Sequence, residues 1–243
     1  MVEKIMKINC YHCNSENIVK HGFDSINGKQ LYKCNNCGKY SRDNPQHKKY
    51  SDNFKELVIG CYIEGMSLRG IERKFKVCRQ TVSCWLKNKA KEKDLKDTLV
   101  EPDENEVIEV DEMWSFVFST IFKVWIWVAI ARYNRQVIAF VIGDRSKNSC
   151  RKLWKRIPDF YRGKRSFSDF WESYKHIFDS RFHKCVGKES GETNHVERLF
   201  CTIRQWLQRV SRKTLAFSKV LYMHHIVFKV FFVAYNEYVS SET

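Results

Sequence analysis

No stretch of this 243-residue chain is long and apolar enough to span a bilayer. The most apolar segment, residues 220–235, is broken by His224, His225 and Lys229. The first seven residues carry charges and lack an apolar core of signal-peptide length. Neither an internal repeat nor a low-complexity tract is present. The expectation is a soluble, cytoplasmic protein with no membrane partner. Basic residues are also missing from one place: residues 101–113 hold seven acids and no Lys or Arg.

Elsewhere the chain is strongly basic, with a net charge of +15. Residues 1–100 carry 20 bases against 11 acids, and residues 114–243 carry 23 against 10. A field of that sign attracts polyanions, nucleic acid first among them, with a basic membrane-surface protein as the rival. An acidic stretch between two basic blocks repels phosphate unless cations neutralise it. The chain is 43% hydrophobic, enough for a sizeable core and two or three domains.

Four of the ten cysteines stand in two CxxC pairs, Cys10/Cys13 and Cys34/Cys37. Each CxxC turn supplies two thiolates, and two such turns complete the tetrahedron that zinc prefers. Gly38 permits the tight backbone after the second pair. So short a segment depends on its metal to fold, and the expected cofactor is a structural Zn2+. His12, inside a knuckle, is read as exposed. The remaining cysteines (Cys61, Cys78, Cys84, Cys150, Cys185 and Cys201) lack paired spacing and are expected to fill the core.

Residues 51–90 show helical periodicity. Phe54, Leu57, Val58, Cys61 and Tyr62 form one apolar stripe. Gly65 ends that helix, and Ser67 is a candidate N-cap for the next. Helices near 67–75 and 79–88, joined by a short turn, match a DNA-reading helix-turn-helix. With Val82, Trp85 and Leu86 inward, Arg79, Gln80, Ser83 and Lys87 point outward, as residue types suited to base edges and phosphates. A plain three-helix packing unit is the alternative.

From Glu106 the pattern becomes strand-like over 107–117, 122–131 and 136–142. A helix follows over 147–157, then a short strand over 166–169. Helices are expected over 193–209, with a stripe of Val196, Leu199, Ile203, Leu207 and Val210, and over 217–238. Asp111 lies inside the first strand, where a carboxylate is costly unless solvated, paired or metal-bound. Glu109 and Glu112 flank it and are equally open as the buried acid. Asp169 ends the short strand, and Glu197 lies on the polar face of the 193–209 helix. Two strand-end aspartates and a helical glutamate can hold two magnesium ions, which suit oxygen ligands and clamp the attacking and leaving oxygens of a phosphodiester. Asp144 is read as a turn residue paired locally with Arg145.

At these residues the chain resembles the insertion-sequence-1 transposase family. The likeness runs through His-Gly-Phe (21–23), Gly-Lys-Gln-Leu-Tyr-Lys-Cys (28–34), Asp-Glu-Met-Trp-Ser-Phe-Val (111–117) and Gly-Asp-Arg-Ser (143–146). It continues through Ser-Asp-Phe-Trp-Glu-Ser-Tyr (168–174), Glu-Thr-Asn-His-Val-Glu-Arg (192–198), Arg204-Gln205 and Arg-Lys-Thr-Leu-Ala-Phe-Ser-Lys (212–219). Three positions depart from the family pattern: Phe118 replaces a Gly, Phe200 an Asn and Trp206 a base. The resemblance implies an RNase H-like domain with a catalytic Asp111, Asp169 and Glu197 triad that binds Mg2+ or Mn2+. It places His195 and Arg198 beside the site and adds Arg198 and Arg204 to the DNA contacts.

The expected fold is thus α+β and multidomain: a zinc ribbon (1–45), a helix-turn-helix domain (50–90), a linker (91–105) and an RNase H-like catalytic domain (106–243). The expected function is DNA cleavage and strand transfer at terminal inverted repeats. Double-stranded DNA, both repeat and target, is the partner. A homo-oligomer on DNA and a nucleoid-associated location are implied. The alternatives are a catalytically inactive DNA-binding regulator derived from a transposase and a different metal nuclease of the same fold.

Overall fold

A computed structural model describes residues 8–25, 28–42, 50–211 and 216–241. The first four residues of the 212–219 motif, the first seven of the chain and the segment 43–49 lie outside the described residues. The chain divides into two compact units, residues 1–52 and 53–243.

The first unit holds a three-stranded antiparallel sheet of β1 (Ile18–Phe23), β2 (Gln30–Cys34) and β3 (Tyr40–Arg42), in that order. No individual strand was picked out here. These residues carry the metal-ligand pattern, which masks the period-2 signal of strands this short. Each CxxC turn ends on a residue with positive φ, Asn14 (58°) and Gly38 (69°). Their N–H groups donate to the carbonyls of Cys10 (2.8 Å) and Cys34 (2.9 Å), which closes each knuckle.

The second unit opens with three helices, α1 (Asp52–Ile63), α2 (Leu68–Phe75) and α3 (Arg79–Glu92). Ser67 caps α2, its hydroxyl accepting from the Gly70 N–H at 3.0 Å. Lys76 ends α2 in the left-handed region at φ 56°. Val82, Leu86 and Ala90 of α3 are buried, while Trp85 is half-buried. A single 3-10 turn, Leu95–Thr98, leads to the larger sheet.

That sheet contains β4 (Val107–Val117), β5 (Ser119–Ala131), β6 (Val137–Gly143), β7 (Arg165–Ser168) and β8 (His183–Cys185), in the spatial order β6-β5-β4-β7-β8. β4, β5 and β6 pair antiparallel, whereas β4 with β7 and β7 with β8 pair parallel. β4 is therefore central and buried along nearly its whole length. Side chains alternate across a strand. Ile108 and Val110 join one core with Trp127, Cys150, Leu153, Tyr161 and Tyr174. That face is covered by α4 (Lys147–Arg156), α5 (Asp159–Arg162) and α6 (Glu172–Ile177). Glu109 points to the opposite face, where α7 (Asn194–Trp206) crosses β4 and β5. α7 keeps Val196, Leu199, Phe200 and Ile203 inward. The helical run then tightens into a 3-10 turn, Gln208–Val210. α8 (Leu221–Ser241) packs against α3, β6 and the 95–98 turn.

One expectation changes at this point. Of the six cysteines assigned to the core, Cys150 is buried, but Cys78, Cys84 and Cys201 are exposed and Cys61 and Cys185 are half-buried. Cysteine type says little about burial where the helical period puts the residue on the outer face. The three departures from the family pattern each have a visible setting. Phe118 sits in the tight β4–β5 turn at φ 67°, in the region a glycine would favour. Phe200 packs into the core at 5% exposure. Trp206 lies edge-on to Phe231, Tyr235 and Tyr238.

Among the described residues, no helix is long and apolar enough to cross a membrane.

Candidate active site

The sulfur atoms of Cys10, Cys13, Cys34 and Cys37 lie within 4.8 Å of one another. The Cys10–Cys37 and Cys13–Cys34 pairs are each 3.6 Å apart. Tetrahedral bonds of about 2.3 Å to zinc set sulfur spacings of about 3.8 Å, so these four ligands fit a tetrahedral ion. A hydrogen bond from the Cys37 backbone N–H, more than any other group, holds Cys34 down at about 6 and favours its thiolate. At Cys13 a hydrogen bond from the Ser15 N–H lowers the pKa, but burial and the three neighbouring thiols prevail and push it up to about 12. Four thiols sharing one space cannot all ionise without a cation. His12 is exposed, its ring 3.2 Å from the Tyr40 carbonyl and not among the sulfur ligands.

A second cluster forms on the large sheet. Pairing between β4 and β7 ends at Glu109 and Phe167. Just beyond, where β4 loses its parallel neighbour, Asp111 and Asp169 come together. Carboxylate oxygens of Asp111, Glu112 and Asp169 lie within 4.8 Å of one another. The Glu112 N–H donates to Asp111 Oδ1 at 2.7 Å, and the Trp171 N–H to Asp169 Oδ1 at 2.9 Å. Burial first, then the charges of Glu112, Asp169 and Glu197, push Asp111 up to about 8. Such crowding of acids is relieved by a divalent cation, and an all-oxygen donor set suits magnesium or manganese. Glu197 is not in this group, but its charge reaches Asp111 from α7. It lines a concave pocket with Arg135, Asn194, His195, Arg198 and Thr202.

The acids flanking Asp111, which the sequence left interchangeable, part company. Glu112 faces α6 and accepts from the Tyr174 hydroxyl at 2.6 Å. It also accepts from Arg145 at 2.8 Å, and that guanidinium lies over the rings of Trp125 (4.5 Å) and Trp171 (4.2 Å). Arg145 therefore does not pair with Asp144. The Asp144 carboxylate instead accepts from the hydroxyls of Ser146 (2.6 Å) and Ser149 (2.5 Å), at the start of α4. Glu109, wholly buried, faces α7 and pairs with Arg132 and His195. Arg145 and Tyr174 stand inside two of the quoted motifs, which carried no role for them. Arg132 had no signal in the sequence, because its partners lie 23 and 60 residues away.

Of the outward residues on α3, Arg79, Gln80 and Lys87 are exposed and Ser83 is half-buried. Arg79 is tied to Glu72 of α2 at 3.0 Å, and Lys87 lies 5.9 Å from the Tyr222 ring. Arg198 is exposed beside Glu197, whereas Arg204 is half-buried farther along α7 and does not line that pocket.

Comparison with known proteins bears on this arrangement. The family described as IS1 transposase matches residues 106–238, the segment that contains the carboxylate cluster and α7. The chain belongs to the IS1 transposase family. Residues 55–92 also match the CENP-B N-terminal DNA-binding domain. Among curated relatives, the insertion element iso-IS1n protein InsB of Shigella dysenteriae is 34% identical over 125 residues, covering 51% of this chain and 92% of that protein. The insertion element IS1 protein InsB of Shigella flexneri is 30% identical over 116 residues, covering 48% and 86%. The insertion element IS1 4 protein InsB of Escherichia coli (strain K12) is 29% identical over 116 residues, covering 48% and 67%. These IS1 relatives thus correspond to about half of the chain.

Proposed function

We propose that this protein is a DNA transposase that binds the terminal inverted repeats of its element and cuts and joins DNA through Asp111, Asp169 and Glu197. The observation that carries the reading is the meeting of Asp111 and Asp169, separated by 57 residues of chain, in one carboxylate cluster within electrostatic reach of Glu197. A central first strand, a parallel neighbour that ends just before the second aspartate and a helix crossing β4 and β5 support an RNase H-like catalytic domain over 106–243. Divalent cations, when bound, neutralise charge at the attacking and leaving oxygens of the phosphodiester. Asp111, Asp169 and Glu197 would hold them, Mg2+ or Mn2+. Arg198 and Arg135, on the rim of the Glu197 pocket, are placed to orient phosphate groups by charge-assisted hydrogen bonds.

DNA recognition is assigned to α2 and α3 as a helix-turn-helix within residues 50–90, with Arg79, Gln80, Ser83 and Lys87 on its reading face. The four-cysteine unit, residues 1–45, is proposed as a zinc ribbon that assists it, and residues 91–105 as the connection. The match to a DNA-binding domain over 55–92 supports this division. Arg204 is retained as a phosphate contact on the outer face of α7. Pairing of two element ends calls for a homo-oligomer on DNA.

The test is joining of a 3′-hydroxyl duplex carrying the element's end to plasmid DNA in Mg2+. Ala at Asp111, Asp169 or Glu197 should abolish joining while duplex binding survives. A wild-type protein that binds the duplex but joins nothing would instead support the inactive regulator. Joining that survives all three substitutions would refute the triad.

A further inference from the structure

Glu109 is the most deeply buried acid of the catalytic sheet, at 0% exposure, and the proposed chemistry makes no use of it. Its carboxylate accepts from the backbone N–H groups of His195 (2.8 Å) and Val196 (3.0 Å), in the first turn of α7. It also bonds the His195 ring at Nδ1 (2.5 Å) and accepts from Arg132 Nε (2.8 Å). Arg132 continues to the carbonyl (2.8 Å) and carboxylate (2.7 Å) of Glu192, just before α7. Its guanidinium lies 5.4 Å from the ring of Phe167, the residue on β7 that is paired in register with Glu109.

The sequence offsets are the same on all three elements. Glu109 precedes Asp111 by two residues on β4, Phe167 of β7 precedes Asp169, the residue that follows that strand, by two, and His195 precedes Glu197 by two on α7. In a strand, positions two apart share a face, so this network forms the layer directly beneath the two aspartates. On α7, two residues advance the chain by about 3 Å along the axis. A strand and a helix joined 86 residues apart by loops would otherwise slide over an apolar contact, which is non-directional. Hydrogen bonds to backbone N–H groups are directional and fix both the height and the rotation of α7.

We propose that Glu109 is a positioning residue: by clamping the first turn of α7 to β4, it fixes the backbone from which the Glu197 side chain reaches a divalent cation held by Asp111 and Asp169. This rests on the triad reading above. Outer-shell partners of metal ligands typically change metal affinity by about 10- to 100-fold when removed.

The experiment measures Mn2+ binding to the full chain by electron paramagnetic resonance, for wild type, Glu109→Gln, Glu197→Ala and the double variant. Glu109→Gln is isosteric and leaves Arg132 paired with Glu192. It should fold, yet weaken Mn2+ binding by about 10-fold. Because Glu109 acts through Glu197, the double variant should bind no worse than Glu197→Ala alone. Glu109→Asp keeps the charge for Arg132 but is one methylene short of α7, so it too should weaken binding; it serves as the deciding variant if Glu109→Gln does not fold. Wild-type affinity in the Glu109 variants, with Glu197→Ala weakened, overturns the clamp. An undiminished Glu109 effect in the Glu197→Ala background overturns it as well. Wild-type affinity in Glu197→Ala instead refutes the triad, and the clamp falls with it.

Discussion

The two units of the chain are stabilised by different means. In the first, the buried hydrophobic side chains among the described residues are Tyr32 and two of the cysteines themselves, Cys10 and Cys34. Ile8, Tyr11, Val19, Phe23 and Tyr40 lie exposed. The second unit buries Trp127, Tyr161, Tyr174, Phe228 and Phe232 almost completely. One unit is organised around a candidate metal site and the other around a hydrophobic core, so each should fail under a treatment that spares the other.

The largest expected effect is metal loss from the first unit. Structural zinc contributes apparent binding free energies of about 10–16 kcal/mol in zinc-finger peptides, and that energy is folding energy. Chelation, or Cys34→Ser, should therefore unfold residues 8–42 while the thermal transition of the second unit stays where it was. Limited proteolysis with zinc analysis checks this; fewer than one zinc per chain in native protein, or a protected first unit after chelation, would break the comparison.

The converse is a core deletion. Phe232→Ala should cost the second unit about 3–5 kcal/mol, read by denaturant unfolding, with zinc content unchanged. Loss of zinc in that variant would mean that the units are not independent.

A third expectation sharpens the comparison within the second unit. Asp111 titrates at about 8 in the folded protein, against 3.8 as its ordinary value. Between those values the folded state holds a proton that the unfolded state has released. The stability this contributes is complete below about pH 4 and is lost as pH rises through 8, by at most about 1.4 kcal/mol per unit. Metal-free wild type should lose stability relative to Asp111→Asn over that range. The rise in melting temperature on adding Mg2+ should grow from pH 6 to pH 8.5, as fewer protons need displacing. Parallel pH profiles for the two proteins would rule out Asp111 as the strained acid.

The smallest effect concerns Phe118. A non-glycine residue in the left-handed region costs about 1–2 kcal/mol, and glycine carries an entropic cost of about 0.5–1. Phe118→Gly should thus stabilise the second unit by up to about 1.5 kcal/mol. A destabilised variant would mean that this exposed ring holds the turn through its contact with Phe122, whose ring centroid is 6.3 Å away.

Short-range patterns were legible in the sequence because their physics is local. The CxxC knuckles are turns of a few residues, the stripe of α7 follows the helical period, and Ser67 caps the helix that begins beside it. The valine- and isoleucine-rich runs of β4, β5 and β6 announce strands whatever they pack against. Even the presence of costly carboxylates in the first strand and at the end of the short one was legible, because a carboxylate in or at the end of a strand is costly wherever it falls. β8 and α6 were missed, since three and six residues are too few for a period to register.

Tertiary structure alone decided how three neighbouring acids divide their work. Glu109, Asp111 and Glu112 stand within four residues of one strand, and composition does not distinguish them. The pleat sends Glu109 to α7 and Glu112 to α6, and the end of β7 leaves Asp111 facing Asp169. Their partners, Arg132, His195, Arg145 and Tyr174, come from 23 to 86 residues away. Electrostatic and hydrogen-bond energies depend on distance in space. Local sequence therefore shows that a costly acid is present, and only the folded chain shows what compensates it.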